Sequence, residues 1–284
     1  MDGFIFLDKE IDITSTKEGS KIKSIFHTKK VGHVGTLDPF ASGLLILGIN
    51  KATKAITFFD DFTKEYIATI KLGIATDTLD LTGKEIIRKD IPNLSEDKIN
   101  VVLHSFLGKS QQIPPMTSAI KINGVKLYEL AHKGQEIDRP FRDIEIFNIE
   151  LIDFHDDEIT FKVLVSKGTY IRTLGSDIAT RLGTVGHLKT LRRTKVGPFD
   201  VSSANKIEDI NEFSLKSTYE VLKEFSSVLK LEDKIINDIK NGKIKYFNGD
   251  YPHDKLLIVD KSNQVVAMYL KKSNHRYEFA RGLF

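Results

Sequence analysis

Residues 29–48 read "KKVGHVGTLDPFASGLLILG", and the whole chain is read outward from them. Gly32, Gly35, Gly43 and Gly48 share this stretch with one histidine, His33, and one Asp-Pro pair, Asp38 and Pro39. Glycine loses more conformational freedom on folding than any other residue, so such a density marks a backbone that other residues would resist. A residue before proline is pushed toward extended or turn geometry, which lets Asp38 point its carboxylate out of a loop. Read locally, the same pair is an ordinary turn initiator. The apolar run "LLILGI" that follows reads as a short buried strand, as does "GFIFLDK" near the start.

Beyond these, "EYIATIKLGIATDT" alternates as a longer strand with Gly73 as a bulge. Residues 95–107 form the clearest helix. Ser95 caps it, Glu96 and Asp97 suit its positive end, and Ile99, Val102, Leu103, Phe106 and Leu107 fall on one face. Leu94 and Ile99 are spaced as a staple, and Gly108 stops the helix. "IEIFNIELIDF" and "EITFKVLVSKGTYI" read as strands around a turn at His155 to Asp157. "IRTLGSDIATRLG" reads as a helix ended by Gly183, and "HLKTLRRTKVGPF" as a further strand. Residues 200–235 turn helical and polar, and the last fifty residues read as short strands with Gly and Asn-Gln turns. Without regular β-α-β alternation, the pattern implies an α+β fold with a mixed, largely antiparallel sheet. It divides at 1–232, a large domain, and 233–284, a small β module.

The chain of 284 residues can bury a full core, and 40% hydrophobic with 29% charged residues is ordinary for a globular protein. No apolar run approaches bilayer length, and "MDGFIFLDKE" lacks the basic start of a signal peptide. The expected address is the cytoplasm, with no membrane partner. The absence of cysteine excludes disulfides, thiolate nucleophiles and cysteine-ligated metals. The eight histidines form no H-x-H or H-E-x-x-H pair, so no metal site is expected, although a weakly held Mg²⁺ needs only one or two carboxylates. Net charge is +3 but uneven. Residues 166–197 carry Lys167, Arg172, Arg181, Lys189, Arg192, Arg193 and Lys195 against Asp177, and residues 17–30 carry Lys17, Lys21, Lys23, Lys29 and Lys30 against Glu18. Such segments suit a polyanion, or are simply solvated surface.

Three further residues carry possible chemistry. Arg172 sits where a strand meets a helix, two residues after Tyr170. The positive end of a helix is a poor place for arginine unless an anion is near, and a carboxylate that must stay ionised is such an anion. Tyr66 is a strand aromatic that packs in a core or stacks on an extruded base. His33, between Gly32 and Val34, is expected at a loop tip, either as a hydrogen-bonded structural residue or as a wedge into a nucleic-acid stack.

Together these segments resemble a known family. "GHVGTLDPFASGLLILGINKATK" resembles the catalytic motif of the bacterial TruB-type tRNA pseudouridine synthases. "KEYIATIKLGIATDTLDLTG", "IPPMTSAIKINGVKLYELAHKGQEIDRP" and "VSKGTYIRTLGSDIATRLGTVGHLKTLRRTKVGPF" resemble its later motifs in order, so the likeness covers roughly residues 3 to 200. The resemblance implies a pseudouridine synthase catalytic domain that isomerises uridine 55 of the tRNA T-loop without a cofactor. Asp38 matches the catalytic aspartate, Tyr66 the tyrosine that stacks on the target base, and Arg172 the arginine that pairs with the aspartate. His33 matches the histidine that enters the T-loop, Leu191 an apolar residue of the pocket, and Lys9 a lysine supporting the tyrosine. Tyr170, Lys29 and Lys30 are counted with the substrate-binding residues. The expected partner is tRNA at its T-arm and elbow, bound by a monomer with no guide RNA.

Two departures stand out. The family's first motif usually reads D-K-P-x-G-x-T-S, and residues 8–15 here read "DKEIDITS", with Glu10 at the proline and Asp12 at the glycine. The C-terminal module resembles only a short PUA domain, an RNA-binding β fold. Two other functional classes compete. One is a tRNA-folding chaperone that opens the elbow without catalysis. The other is a metal-dependent phosphohydrolase, against which the sparse ligand inventory argues.

Overall fold

The computed structural model describes residues 1–118, 121–122, 125–127, 135 and 137–284. Residues 119–120, 123–124, 128–134 and 136 of the segment 113–140, whose motif the sequence likens to the family's central signature, therefore lie outside the described residues. The chain forms two compact units, one of residues 1–38, 44–60 and 198–284, the other of residues 39–43 and 61–197.

In the first unit, β1 (Gly3–Lys9) is almost wholly buried, and β2 (Val31–Val34) pairs antiparallel with β3 (Ser42–Ile49). Its core is aromatic. Phe59 meets Phe4 at 5.3 Å and Phe225 at 5.1 Å between ring centroids, and Phe6 meets Phe199 edge-on at 5.0 Å. Such tilted and edge-on pairs suit the ring quadrupole. A helix at Ser15–Ile25, capped by Thr14, is not foreseen from the sequence. Residues 200–235 hold the short helix Thr218–Leu222 and the start of a helix at Asp233–Lys240 among single turns and short strands, less helix than the sequence implies. A separate five-stranded sheet closes the chain. Its members are Ser227–Lys230, Tyr246–Asn248, Lys255–Val259, Val265–Ser273 and Arg276–Gly282, around a core of Ile236, Ile239, Leu256, Ile258, Val266, Ala267, Tyr269 and Tyr277.

The second unit is built on β4 (Lys64–Leu72). Beyond it come β5 (Gly108–Gln112), β6 (Arg142–His155), β7 (Glu158–Val165) and β8 (Gly186–Val196), in the spatial order β8-β4-β7-β6-β5 with every neighbouring pair antiparallel. A parallel pairing brings Ser42 and Gly43, at the start of β3, against Arg192 and Arg193 of β8. The mixed, largely antiparallel sheet expected from the sequence is therefore present. Gly73 takes φ +83 just after β4 ends at Leu72, so the longer strand with a bulge there is instead two strands in different sheets. The helix at 95–107 is shorter than expected, Glu96–His104 under the Ser95 cap, and Leu107 is exposed because the chain has left the helical turn before reaching it. The strand read as running to Ile171 stops at Val165, and the helix Ile171–Arg181 begins where it was expected to have just started.

Candidate active site

In the first unit, Asp38 is half-buried in the loop between β2 and β3. The residue before it, Leu37, is buried and fixed twice by one side chain. The Leu37 N–H donates to Ser15 Oγ at 3.0 Å, and Ser15 Oγ donates to the Leu37 carbonyl at 3.1 Å. Ser15 is itself 1% exposed and opens the helix that Thr14 caps by accepting from the Lys17 N–H at 3.1 Å. The Thr-Ser end of the altered first motif thus anchors the aspartate loop. Lys9, fully buried at the end of β1, donates to the carbonyls of Glu10 and Ile13, both at 2.8 Å, and holds the turn between them. Asp12 adopts φ +63 there, a conformation glycine reaches with least strain, which explains why a glycine stands at this position of the family motif. Glu10 faces solvent and pairs with Lys206 at 3.4 Å. His33 is not at a loop tip. It lies half-buried on β2 with its backbone opposite Leu47, because the glycines beside it permit a strand as well as a turn.

The second unit carries the rest of the candidates. At Gly43, φ is +103 and a Cβ would lie 2.2 Å from the Arg193 carbonyl, so only glycine lets β3 begin against β8. This closure falls five residues after Asp38, and it accounts for the glycine at that position. Tyr66 of β4 is 8% exposed and sits directly opposite Arg193 of β8, with Leu191 opposite Ala68 two positions along. Arg193 is 1% exposed and faces Tyr66 across the β4–β8 pair. Burial pulls its guanidinium below the ordinary arginine range, and the contact with Tyr66 opposes that pull.

Arg172, 4% exposed, starts the helix Ile171–Arg181. It donates to the Thr78 carbonyl at 3.0 Å, to the Thr117 carbonyl at 2.8 Å and to the Thr117 hydroxyl, and it pairs with Asp80 at 3.4 Å. Asp80 is in turn fixed by the Thr78 hydroxyl at 2.8 Å, the Thr82 N–H at 2.9 Å and the Thr82 hydroxyl at 2.6 Å. An arginine at a positive helix end needs an anion, and Asp80 supplies one. Tyr170 is clamped at its backbone by the buried Gln112, whose Oε1 accepts from the Tyr170 N–H at 2.8 Å and whose Nε2 donates to its carbonyl at 3.1 Å.

These findings correct the reading of the 166–197 segment as a basic face. Arg172 and Arg193 are interior, Lys189 pairs with Glu158 at 2.5 Å, Lys167 pairs with Asp61, and Arg181 stacks on Phe106 at 4.3 Å. Lys29 and Lys30, by contrast, are exposed. Among the described residues no cluster of three or more His, Cys, Asp or Glu side chains is arranged to hold a metal ion. No helix among them is long and apolar enough to cross a membrane.

Residues 23–171 match the model of the TruB family pseudouridylate synthase N-terminal domain, and residues 172–233 match that of the tRNA pseudouridylate synthase B C-terminal domain. The chain belongs to the TruB family of pseudouridylate synthases. Similar relatives include the tRNA pseudouridine synthase B of Geotalea uraniireducens, 46% identical over 209 residues that cover 74% of this chain and 67% of the relative. That of Francisella tularensis is 44% identical over 230 residues, 80% of this chain and 76% of the relative. Among solved structures, one of a Cbf5-Nop10-Gar1 complex superposes with a TM-score of 0.74 over 99% of this chain and 85% of the other, at 24% identity, which shows a shared fold.

Sequence reasoning missed four residues that position the candidates of this TruB-family chain: Ser15, Asp80, Gln112 and Arg193. Two left a signal: Ser15 is the serine of the first motif, and Asp80 is the acid that Arg172 calls for. The unfavourable placement of Arg172 calls for an acid, and "TDTLDLTG" supplies one ringed by threonines.

Proposed function

We propose that this TruB-family enzyme isomerises uridine 55 of the tRNA T-loop to pseudouridine, with Asp38 as the acting carboxylate, Arg172 keeping that carboxylate ionised, and Tyr66 against the flipped base. The observation that carries this is the family match itself, which spans Asp38 and Tyr66 and continues from Arg172. The anchored loop of Asp38 and the buried settings of Tyr66 and Arg172 support it. The N1–C1′ bond breaks, the base turns, and a C5–C1′ bond forms. One proton leaves C5 and one is gained at N1, so the reaction balances without a redox partner or group donor. Apolar walls exclude water that would capture the detached sugar, and Leu191 and Tyr66 are suited to this. His33 and Leu191 hold the extruded base, Lys9 supports the site through its turn, and Tyr170, Lys29 and Lys30 contact the T-arm.

Residues 1–232 carry catalysis, and 233–284 form a PUA-like RNA-binding module to which the strand Ser227–Lys230 is added from the preceding chain. The enzyme works on tRNA as a monomer in the cytoplasm, without a guide RNA.

The test uses purified protein, an unmodified tRNA transcript and EDTA, with pseudouridine mapped by carbodiimide labelling and primer extension. A single new stop at the T-loop uridine, lost in Asp38→Asn, is expected. Tight tRNA binding with no stop would replace the synthase reading by that of a chaperone.

A further inference from the structure

Gln112 is the buried member of β5. It is 5% exposed, while Lys109, Ser110 and Gln111 before it face solvent. An interior amide costs free energy unless its oxygen and nitrogen both find partners. Both do, and on one residue. Gln112 Oε1 accepts from the Tyr170 N–H at 2.8 Å, and Nε2 donates to the Tyr170 carbonyl at 3.1 Å. Those two groups belong to the peptide units on either side of Tyr170. One side chain thus stands in for a neighbouring strand and fixes Tyr170 at φ −97 and ψ 110.

Tyr170 is the N-cap of the helix Ile171–Arg181, and its side chain makes no capping bond. Tyrosine lacks the short oxygen with which Ser, Thr, Asp or Asn closes a first turn. Its carbonyl takes the first helical bond, from the Leu174 N–H at 3.1 Å, and the bond from Gln112 besides. The start of the helix is therefore set by a side chain 58 residues away. Arg172 lies in the first turn, which aims its guanidinium at the carbonyls of Thr78 and Thr117.

We propose that Gln112 is a positioning residue for the isomerisation: its amide fixes Tyr170 at the helix start and with it the line along which Arg172 enters the site. The assignment rests on the pseudouridine synthase reading, in which Arg172 keeps the Asp38 carboxylate ionised. Gln112 acts through the backbone of Tyr170 and not on a reacting atom, so its loss falls on turnover more than on tRNA capture.

The experiment uses the full chain and an unmodified tRNA transcript, with Gln112→Met, Gln112→Glu and a melting curve for each. Methionine has similar volume and makes neither bond. Gln112→Met is expected to lower kcat by about 10–100-fold, the scale on which a misplacement of about 1 Å acts. KM should stay within about threefold. Gln112→Glu keeps an acceptor for the Tyr170 N–H but sets an oxygen against the Tyr170 carbonyl. When protonated, that carboxyl donates as the amide does; when ionised, it repels the carbonyl. Burial raises a carboxyl's pKa, which brings its titration toward neutral pH. Relative to wild type, kcat of Gln112→Glu should therefore rise by about tenfold from about pH 8 to about pH 5.5, and that of Gln112→Met should stay flat. Lys109, Asp177 and Arg181 line the cavity that Gln112 borders, and Arg142 lies opposite it on β6. These groups are common to both proteins, so the ratio cancels their titration. A flat ratio for Gln112→Glu, or a kcat of Gln112→Met within about threefold of wild type, would overturn the proposal. Should Gln112→Met fail to fold, the pH ratio of Gln112→Glu decides alone. Asp38→Asn separates the two levels. Retained activity there rejects the catalytic reading itself, whereas an inactive Asp38→Asn with a flat Gln112→Glu ratio rejects only the role of Gln112.

Discussion

Two basic segments of this chain are treated differently by the structure. Residues 17–30 present Lys29 and Lys30 to solvent. Residues 166–197 bury Arg172 and Arg193, and engage Lys167 and Lys189 in ion pairs. Charge counted along a chain reports composition, whereas the number of partners each charge acquires decides its use. A buried guanidinium is kept only where a carboxylate, carbonyls or a phenol surround it. An exposed lysine is free to meet a phosphate, with a flexible stem and a hydrated head.

The sharpest way to break this contrast is to remove an interior partner. Asp80→Ala leaves the Arg172 guanidinium buried without its described carboxylate. Loss of one member of a buried pair costs about 3–5 kcal/mol. For a chain of this size the melting temperature should fall by roughly 10 °C. Calorimetry on wild type and variant decides it, and an unchanged melting point would mean that the carbonyls of Thr78 and Thr117 suffice to hold Arg172.

A smaller effect is expected at the exposed segment. Charge reversal of Lys29 and Lys30 together should weaken tRNA binding by about tenfold at low salt, because two fewer counterions are released and two repulsions are added. The gap should close as ionic strength rises and the Debye length shrinks. Filter binding across a salt series reads both. Unchanged affinity would class this run as solvated surface, and the comparison would then be one of burial without function.

The smallest effect concerns surface ion pairs in the second unit. Lys71 bonds Asp157 at 2.6 Å and lies 3.7 Å from Glu158, which Lys189 also holds. The bond to Lys71 lowers the Asp157 carboxyl and the bond to Lys189 lowers that of Glu158, while the bond to Asp157 raises Lys71. For the carboxylates the stabilisation is present above their unfolded values and lost as pH falls through the lower folded ones, thus in the acid range below about 4. For Lys71 it is present below the unfolded lysine value and lost as pH rises through the higher folded one. The groups are partly exposed and screened, so the total is below about 1 kcal/mol. Urea melts of wild type and Lys71→Met should differ at pH 7, and the gap should narrow progressively as pH is lowered toward about 2. A constant gap would show that Lys71 contributes packing rather than charge.

The sequence alone determined much of this protein. Alternation placed β4, β6, β7 and β8, the Ser95 cap placed its helix, and Gly183 ended the one that carries Arg172, because these features depend on residues within a few positions of one another. The ordered motifs also identified the family, which the family models and relatives bear out. Only the tertiary structure decided what surrounds them. Ser15 reaches Leu37 across 22 residues, Gln112 reaches Tyr170 across 58, and Asp80 reaches Arg172 across 92. Arg193 meets Tyr66 because β8 lies beside β4. Such contacts carry no local pattern: a buried polar group is satisfied by whatever the fold brings within about 3 Å of it, and that distance in space is unrelated to distance along the chain.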